Sequence, residues 1–232
     1  MAKKIRLDVL IFQRGLIPTR SKSAALVMEG KVTVDGKVIT KPGFAVSESS
    51  EIFIKEQLEF VSRGGLKLSK ALCDFDVGVK AKICLDVGAS TGGFTDCLLK
   101  NGAKKVYCVD VGYGIIDLKL RNDPRVVVVE KTNIRYFGKC ELTQIIKCEL
   151  TQTTNSHKSS YDVDESCLPD LAVIDVSFIS LEKVLPKVKE LVKVDGRIIA
   201  LVKPQFEAPR GSAKKGVVQD ESVRLASIEK IK

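Results

Sequence analysis

Between Lys82 and Phe94 the chain reads Lys-Ile-Cys-Leu-Asp-Val-Gly-Ala-Ser-Thr-Gly-Gly-Phe, and no other stretch restricts its fold as strongly. Ile83 to Val87 is a short apolar run with one acid, Asp86, near its end, the pattern of a buried strand. The run breaks into a turn of small residues that includes Gly88, Ser90, Thr91, Gly92 and Gly93, and Phe94 to Asn101 then follows helical spacing. Glycines have no Cβ to keep a ligand off the backbone. A strand, a glycine turn and a helix start in this order predict a site for a nucleotide-like ligand.

The same rhythm continues along the chain. Strands are predicted at Lys105–Val111, Val126–Glu130, Leu171–Asp175 and Arg197–Lys203, and helices over Ser62–Leu72, around Ile115–Leu120 and over Leu181–Val192. Such alternation implies an α/β fold, a doubly wound and mostly parallel Rossmann-like sheet with ligands at the carboxyl ends of its strands. Residues 139–170 break the pattern, because Lys-Cys-Glu-Leu-Thr-Gln occurs at 139–144 and again at 147–152, ahead of a polar tract around His157. A repeat this short cannot build a solenoid. The segment is therefore expected to be a polar insertion, mobile or weakly helical, within a domain spanning 61–232.

Residues 1–60 read as a separate small α+β module. Leu7, Leu10 and Ile11 share one helical face, which Gly15 can close ahead of Pro18. Ser21 is the expected N-cap of a second helix reaching Glu29. From Lys31 to Ile39 the pattern alternates around Asp35-Gly36, a hairpin signal. Arg6, Arg14, Arg20 and Lys22 gather on the short helices, either as a solvated face or as a surface for phosphates. The whole chain carries 38 Lys and Arg against 29 Asp and Glu, a net charge of +9, so an acidic partner is expected, nucleic acid first.

Composition narrows the chemistry. The seven cysteines form no Cys-x-x-Cys pair, which points to reduced, cytoplasmic usage and to no zinc or other metal site. The N-terminus lacks the apolar core of a signal peptide, and no apolar run approaches the ~18 residues of a membrane span. With His157 the only histidine, a Ser-His-Asp arrangement is disfavoured, and a general base must be Lys, Asp or Glu.

Two groups of residues carry the expected chemistry. A dinucleotide loop would show Gly-x-Gly-x-x-Gly, whereas the spacing here is Gly88-x-Ser90-x-Gly92-Gly93 with Asp86 just ahead of it. This favours S-adenosylmethionine, whose zwitterionic amino-acid part needs a carboxylate and backbone amides rather than a pyrophosphate cradle. Asp110, with Val111 beside it, ends the next strand where a carboxylate can accept hydrogen bonds from ribose hydroxyls, and Asn133 lies just past the third. Asp175 and Lys203 each close an apolar strand, so both charges should emerge at the same sheet edge, as a structural ion pair or as reacting groups. Lys67, on the helix before the first strand, could reach the same crevice; of two neighbouring lysines, one can have its pKa lowered enough to act as a base.

Arg6 with Asp8, the helix led by Arg20 and Gly-Lys-Val-Thr-Val-Asp-Gly at the turn resemble an S4 RNA-binding domain over about Lys4 to Ile54. That resemblance places Arg6, Arg14, Arg20 and Lys22 at an RNA interface. Ser-Arg-Gly-Gly-Leu-Lys, Leu-Asp-Val-Gly-Ala-Ser-Thr-Gly-Gly-Phe-Thr-Asp, Val-Asp-Val-Gly-Tyr-Gly, Lys-Thr-Asn-Ile-Arg, Ile-Asp-Val-Ser-Phe-Ile-Ser-Leu and Val-Lys-Pro-Gln-Phe-Glu resemble the TlyA family, also called hemolysin A and related to FtsJ-like 2′-O-methyltransferases. The resemblance implies methyl transfer from S-adenosylmethionine to a ribose 2′-hydroxyl of ribosomal RNA, with rRNA or a ribosomal subunit as partner, no metal, and Arg63 helping to hold the RNA. It also implies a Lys-Asp-Lys-Glu catalytic set whose first three members match Lys67, Asp175 and Lys203. The family's glutamate lies in a final strand region that has no counterpart before Lys232, and Glu207 follows Lys203 closely. Two other functions are weighed beside this one: a non-catalytic RNA-binding or ribosome-assembly factor with a vestigial pocket, and a membrane-active hemolysin.

Overall fold

The computed structural model describes residues 4–54, 59–154, 165–209, 211–214 and 216–231. The chain divides into two units, Met1–Leu58 and Glu59–Lys232. The polar tract around His157 and part of the connector after Ile54 lie outside the described residues.

In the first unit, strand β1 (Lys4–Arg6) leads into helices α1 (Leu7–Gln13) and α2 (Arg20–Met28). Strands β2 (Val32–Val34), β3 (Lys37–Val38), β4 (Ala45–Ser47) and β5 (Ile52–Ile54) follow. Asp35 at φ +48° and Gly36 at φ +78° give the β2–β3 hairpin the two left-handed residues of a type I′ turn. β5 adds to the other side of β2, and β1 pairs with β4, both antiparallel. Leu7, Ile11, Val27 and Val32 are fully buried between the helices and the sheet. The cap of α2 lies two residues before the expected position, at Thr19 and not Ser21. Thr19 is extended at φ −141°, and its hydroxyl accepts from the Lys22 N–H at 3.2 Å, while Ser21 lies inside the first turn.

The second unit is built on a five-stranded sheet, β6 (Ile83–Val87), β7 (Lys105–Val109), β8 (Val126–Val129), β9 (Leu171–Ile174) and β10 (Arg197–Ala200), in the order β10-β9-β6-β7-β8. Every pairing in it is parallel. Alternate side chains feed two apolar layers. Cys84, Val106 and Val173 pack with α3 (Gly64–Asp74) and α4 (Gly93–Lys100), and Leu85, Val109 and Ile174 face the opposite layer. The strands end short of the predicted limits, so Asp110 and Asp175 are the first residues beyond β7 and β9, and Lys203 stands three residues past β10. A charge cannot follow the apolar run into the sheet interior without losing its water.

Three predicted segments need correction. The helix expected over Leu181–Val192 is a 3₁₀ turn, Leu181–Lys183, followed by α7 (Leu185–Leu191), with Pro186 in the first turn of α7 where its missing N–H breaks no helical bond. The expected helix near Ile115 is a single turn, α5 (Leu118–Arg121), capped by Asp117. More consequentially, residues 139–154 are not a polar insertion: they form α6 (Lys139–Thr154), the crossover helix between β8 and β9. Two copies of a motif eight residues apart on a helix are turned by roughly 80° from each other. Glu141 of the first copy accepts from the Gly138 N–H at the helix start, whereas Glu149 of the second pairs with Lys105 of β7. Leu142 and Ile146, one turn apart, enter the core against α7.

Leu142 is fully buried. Leu142→Ala should therefore cost about 3 kcal/mol in chemical denaturation, and a loss below ~0.5 kcal/mol would mean that α6 is not part of the core.

Candidate functional site

The turn after β6 is shaped by close approaches. Gly88 lies at φ +81°, and a Cβ there would stand 2.8 Å from the Asp175 carbonyl oxygen, so the carboxyl ends of β6 and β9 meet with no room for a side chain. Gly93 and Gly92 have a different task from the expected one. A Cβ on Gly93 would meet the Ser62 hydroxyl at 2.1 Å, and one on Gly92 the Leu120 side chain at 2.2 Å. These two glycines admit neighbouring protein, as the helix-packing glycine of a nucleotide loop does. Phe94 is buried with them in the core.

A cavity of about 960 Å³ opens at the carboxyl edge of the sheet. It spans the point where the chain's crossovers diverge from β6 toward β7 on one side and β9 on the other, the switch point at which open parallel sheets bind ligands. Gly88, Ser90, Asp110, Val111, Asn133 and Asp175 of the expected residues line it. The Ser90 N–H donates to Asp110 Oδ2 at 2.8 Å and the Gly112 N–H to Oδ1 at 2.7 Å, so one carboxylate ties the glycine turn to the loop after β7. Each Asp110 oxygen keeps a lone pair for a ribose hydroxyl. The volume falls within the ~300–1,000 Å³ of small-molecule sites, and the donor set fits a nucleoside-bearing cofactor.

Asp86 and Thr91 do not line the cavity. Thr91 is exposed and its carbonyl accepts from the Asp117 N–H. Asp86 is completely buried under the turn, with Oδ2 accepting from the Thr95 hydroxyl at 2.6 Å and Oδ1 without a partner.

Lys203 and Asp175 do come together. Lys203 Nζ lies 2.5 Å from Asp175 Oδ1, an ion pair rather than an aligned hydrogen bond, and donates to Ser177 Oγ at 2.9 Å. Lys67 is exposed on α3, whose buried face is Gly65, Leu68 and Leu72, and neither it nor Lys203 itself lines the cavity. Arg63, at the start of α3, is also exposed and makes no side-chain cap.

Sequence reasoning missed Phe178 and Phe206. Phe178 is 92% exposed beside the pair, at φ +64°, and its ring centroid is 5.3 Å from that of Phe206. A left-handed phenylalanine has no signal in local sequence, because only the surrounding fold imposes it. Glu207 is buried, its carboxylate accepting from Ser180 Oγ at 2.6 Å and the Leu181 N–H at 2.8 Å, so it does not face Lys203.

In the first unit Asp8 organises the cations. Burial works against its charge, but hydrogen bonds from Arg6 and Arg20 outweigh burial and hold the carboxyl below its usual range. Both guanidinium groups remain half exposed. Arg14 instead donates to the carbonyls of Ser50 and Glu48, fastening α1 to the β4–β5 turn. Lys22 is half-buried in the first turn of α2, where its N–H meets the Thr19 cap.

No helix among the described residues is long and apolar enough to cross a membrane, and no cluster of three or more His, Cys, Asp or Glu among them could hold a metal ion.

Burial, with Asp175 and Asp110 nearby, raises the Asp86 carboxyl from 3.8 to about 7 against the opposing hydrogen bonds of Thr95. The folded protein therefore holds this proton more tightly than the unfolded chain. The resulting stability is fully present below pH 3.8 and is lost as the pH rises to about 7. Asp86→Asn, which keeps an oxygen for Thr95, should remove that slope: denaturation from pH 4 to 8 should show the variant gaining on the wild type by on the order of a few kcal/mol, and parallel curves would show that Asp86 does not titrate there.

The FtsJ-like methyltransferase family matches residues 60–231, and the S4 domain family matches residues 5–52. The 16S/23S rRNA (cytidine-2′-O)-methyltransferase TlyA of Mycobacterium tuberculosis is 41% identical over 231 residues, 98% of this chain and 78% of the relative. Hemolysin A of Brachyspira hyodysenteriae is 39% identical over 222 residues, 95% of this chain and 83% of the relative. A solved structure from Streptococcus thermophilus, described as a candidate hemolysin, aligns with 40% identity and a TM-score of 0.66, covering 100% of this chain and 77% of that one. Matched along both units by these relatives, the chain belongs to the TlyA family, in which an S4 domain precedes an FtsJ-like methyltransferase domain.

Proposed function

We propose that the protein transfers a methyl group from S-adenosylmethionine to a ribose 2′-hydroxyl of ribosomal RNA, the activity printed in the names of its relatives. The observation that carries this reading is Lys203, held by Asp175 and Ser177, two residues that line the cavity at the carboxyl edge of a parallel α/β sheet. When bound, S-adenosylmethionine supplies a sulfonium methyl that passes to the 2′-oxygen, leaving a neutral thioether, while the hydroxyl proton must go to a base. Asp110 would accept from the ribose hydroxyls of the cofactor, and Asn133, at the same edge, would meet its adenine.

A lysine nitrogen has three positions besides its Cε bond. Ser177 accepts from one of them on Lys203 and Asp175 stands 2.5 Å away as its counter-ion, so a position is left for the substrate hydroxyl. In the neutral amine that position is a lone pair, so the same two contacts that orient Lys203 aim the group that receives the proton. Lys67, exposed on α3, would aid Lys203 in this transfer. Phe178 offers an exposed ring beside the pair on which the base of the target nucleotide can stack. Arg6 and Arg20, fixed by Asp8 yet half exposed, would contact RNA phosphates from the S4 unit, with Lys22 on the same helix and Arg63 on the methyltransferase unit.

Lys203→Ala should lower methyl transfer to unmodified ribosomal subunits by ~10² to 10⁴-fold while calorimetry shows cofactor binding retained, and sustained transfer would remove Lys203 from the mechanism. Phe178→Ala should lower kcat/KM by about tenfold or more through lost stacking; an unchanged value would leave the ring no role. For Arg20→Ala, rRNA binding measured against salt should show a slope reduced by about one, and a slope equal to that of the wild type would take Arg20 off the phosphates.

A further inference from the structure

The chain segments that follow β9 and β10 touch at three successive points. Nearest the sheet, Lys203 meets Asp175 and Ser177. Farther out, the ring of Phe206 meets that of Phe178. At the end of the single turn α8 (Pro204–Glu207), the buried Glu207 carboxylate accepts from Ser180 Oγ through Oε2 and from the Leu181 N–H through Oε1, at 2.6 and 2.8 Å. Lys230, the C-cap of α9 (Glu221–Glu229), pairs with Glu182 at 2.6 Å, lies 4.0 Å from Glu207 Oε2 and donates to the Glu207 carbonyl at 3.3 Å.

Neither segment can hold its shape alone. A helical turn of four residues has too few internal bonds to be stable by itself. The other segment contains Phe178 in a left-handed conformation that surrounding structure must impose. The Glu207 contacts are the outermost tie between the two, and the Lys203 contacts are the innermost.

We infer that Glu207 is a positioning residue: by gripping Ser180 and Leu181 it locks the loop carrying Asp175 and Ser177 to the segment carrying Lys203, and so sets the lysine between its two partners. This rests on the proposed role of Lys203, but the geometric part can be tested without it. Glutamine can reproduce the grip, since its oxygen accepts from the Leu181 N–H and its amide donates to Ser180 Oγ. Alanine cannot.

The full chain with Glu207→Ala should bind S-adenosylmethionine as the wild type does in calorimetry, while kcat for methyl transfer falls on the order of 10²-fold. The Lys203 Cε–Hε NMR resonance, dispersed by fixed neighbours in the wild type, should move to the position of a free lysine. Glu207→Gln should restore both. A role in folding alone would lower binding and kcat together, in proportion to the unfolded fraction. That result would overturn the inference, as would a Lys203 resonance unmoved in Glu207→Ala, or a Gln variant as impaired as the Ala variant. If Glu207→Ala does not fold, Ser180→Ala removes one bond of the grip and should still shift the Lys203 resonance, and no shift would again overturn it. Should Lys203→Ala retain transfer while Glu207→Ala moves the resonance, the catalytic reading fails and the clamp stands.

Discussion

The second unit depends on one steric fact: the carboxyl ends of β6 and β9 come so close that only a hydrogen atom separates the Gly88 backbone from the Asp175 carbonyl. This contact puts the glycine turn and the first residues after β9 on one rim of the sheet. The cavity follows from it, because parallel strands whose crossovers leave in opposite directions open a crevice at that point. It also brings Asp175 within ion-pair reach of Lys203, which arrives from the neighbouring strand β10. A side chain at position 88 would have to push the two strand ends apart and would take the site with it.

Carboxylates do much of the remaining ordering, each in its own way. Asp110 joins two loops through backbone N–H groups, Asp8 fixes two arginines that stay open to solvent, and Glu207 closes the outer end of the segment after Lys203. In each case the acid is worth its desolvation because donors surround it. Asp86 is the exception, with one oxygen bonded and one orphaned in the core, and its raised pKa is the consequence.

Much of this was legible beforehand, and for definite reasons. The β6 run was placed to the residue because four apolar positions and one acid followed by glycine leave little choice. The Asp35-Gly36 turn was equally clear, since few pairs tolerate two positive φ angles. Asp175 and Lys203 could be paired in advance because each ends an apolar strand and a charge must emerge at the edge. The burial of the repeat-region helix α6 was not legible: its polar composition masked Leu142 and Ile146, whose burial depends on a sheet made from distant residues. Glu207 and Phe178 were hidden for the same kind of reason, because their partners lie in segments far away in sequence.

Taken by itself, the sequence determined the fold class, the order of strands and helices, the family, and the identity of the charges at the strand ends. Period, turn chemistry and ordered motifs are local properties, and they survive without any knowledge of contacts. Only the tertiary structure decided that Gly88 lines the cavity while Gly92 and Gly93 admit neighbouring protein. It also decided that Asp86 is core while Asp110 is rim, that Lys67 is exposed on α3, and that Asp175 and Ser177 share the Lys203 ammonium. These outcomes depend on distances between segments separated by many residues, which close packing sets and local pattern does not.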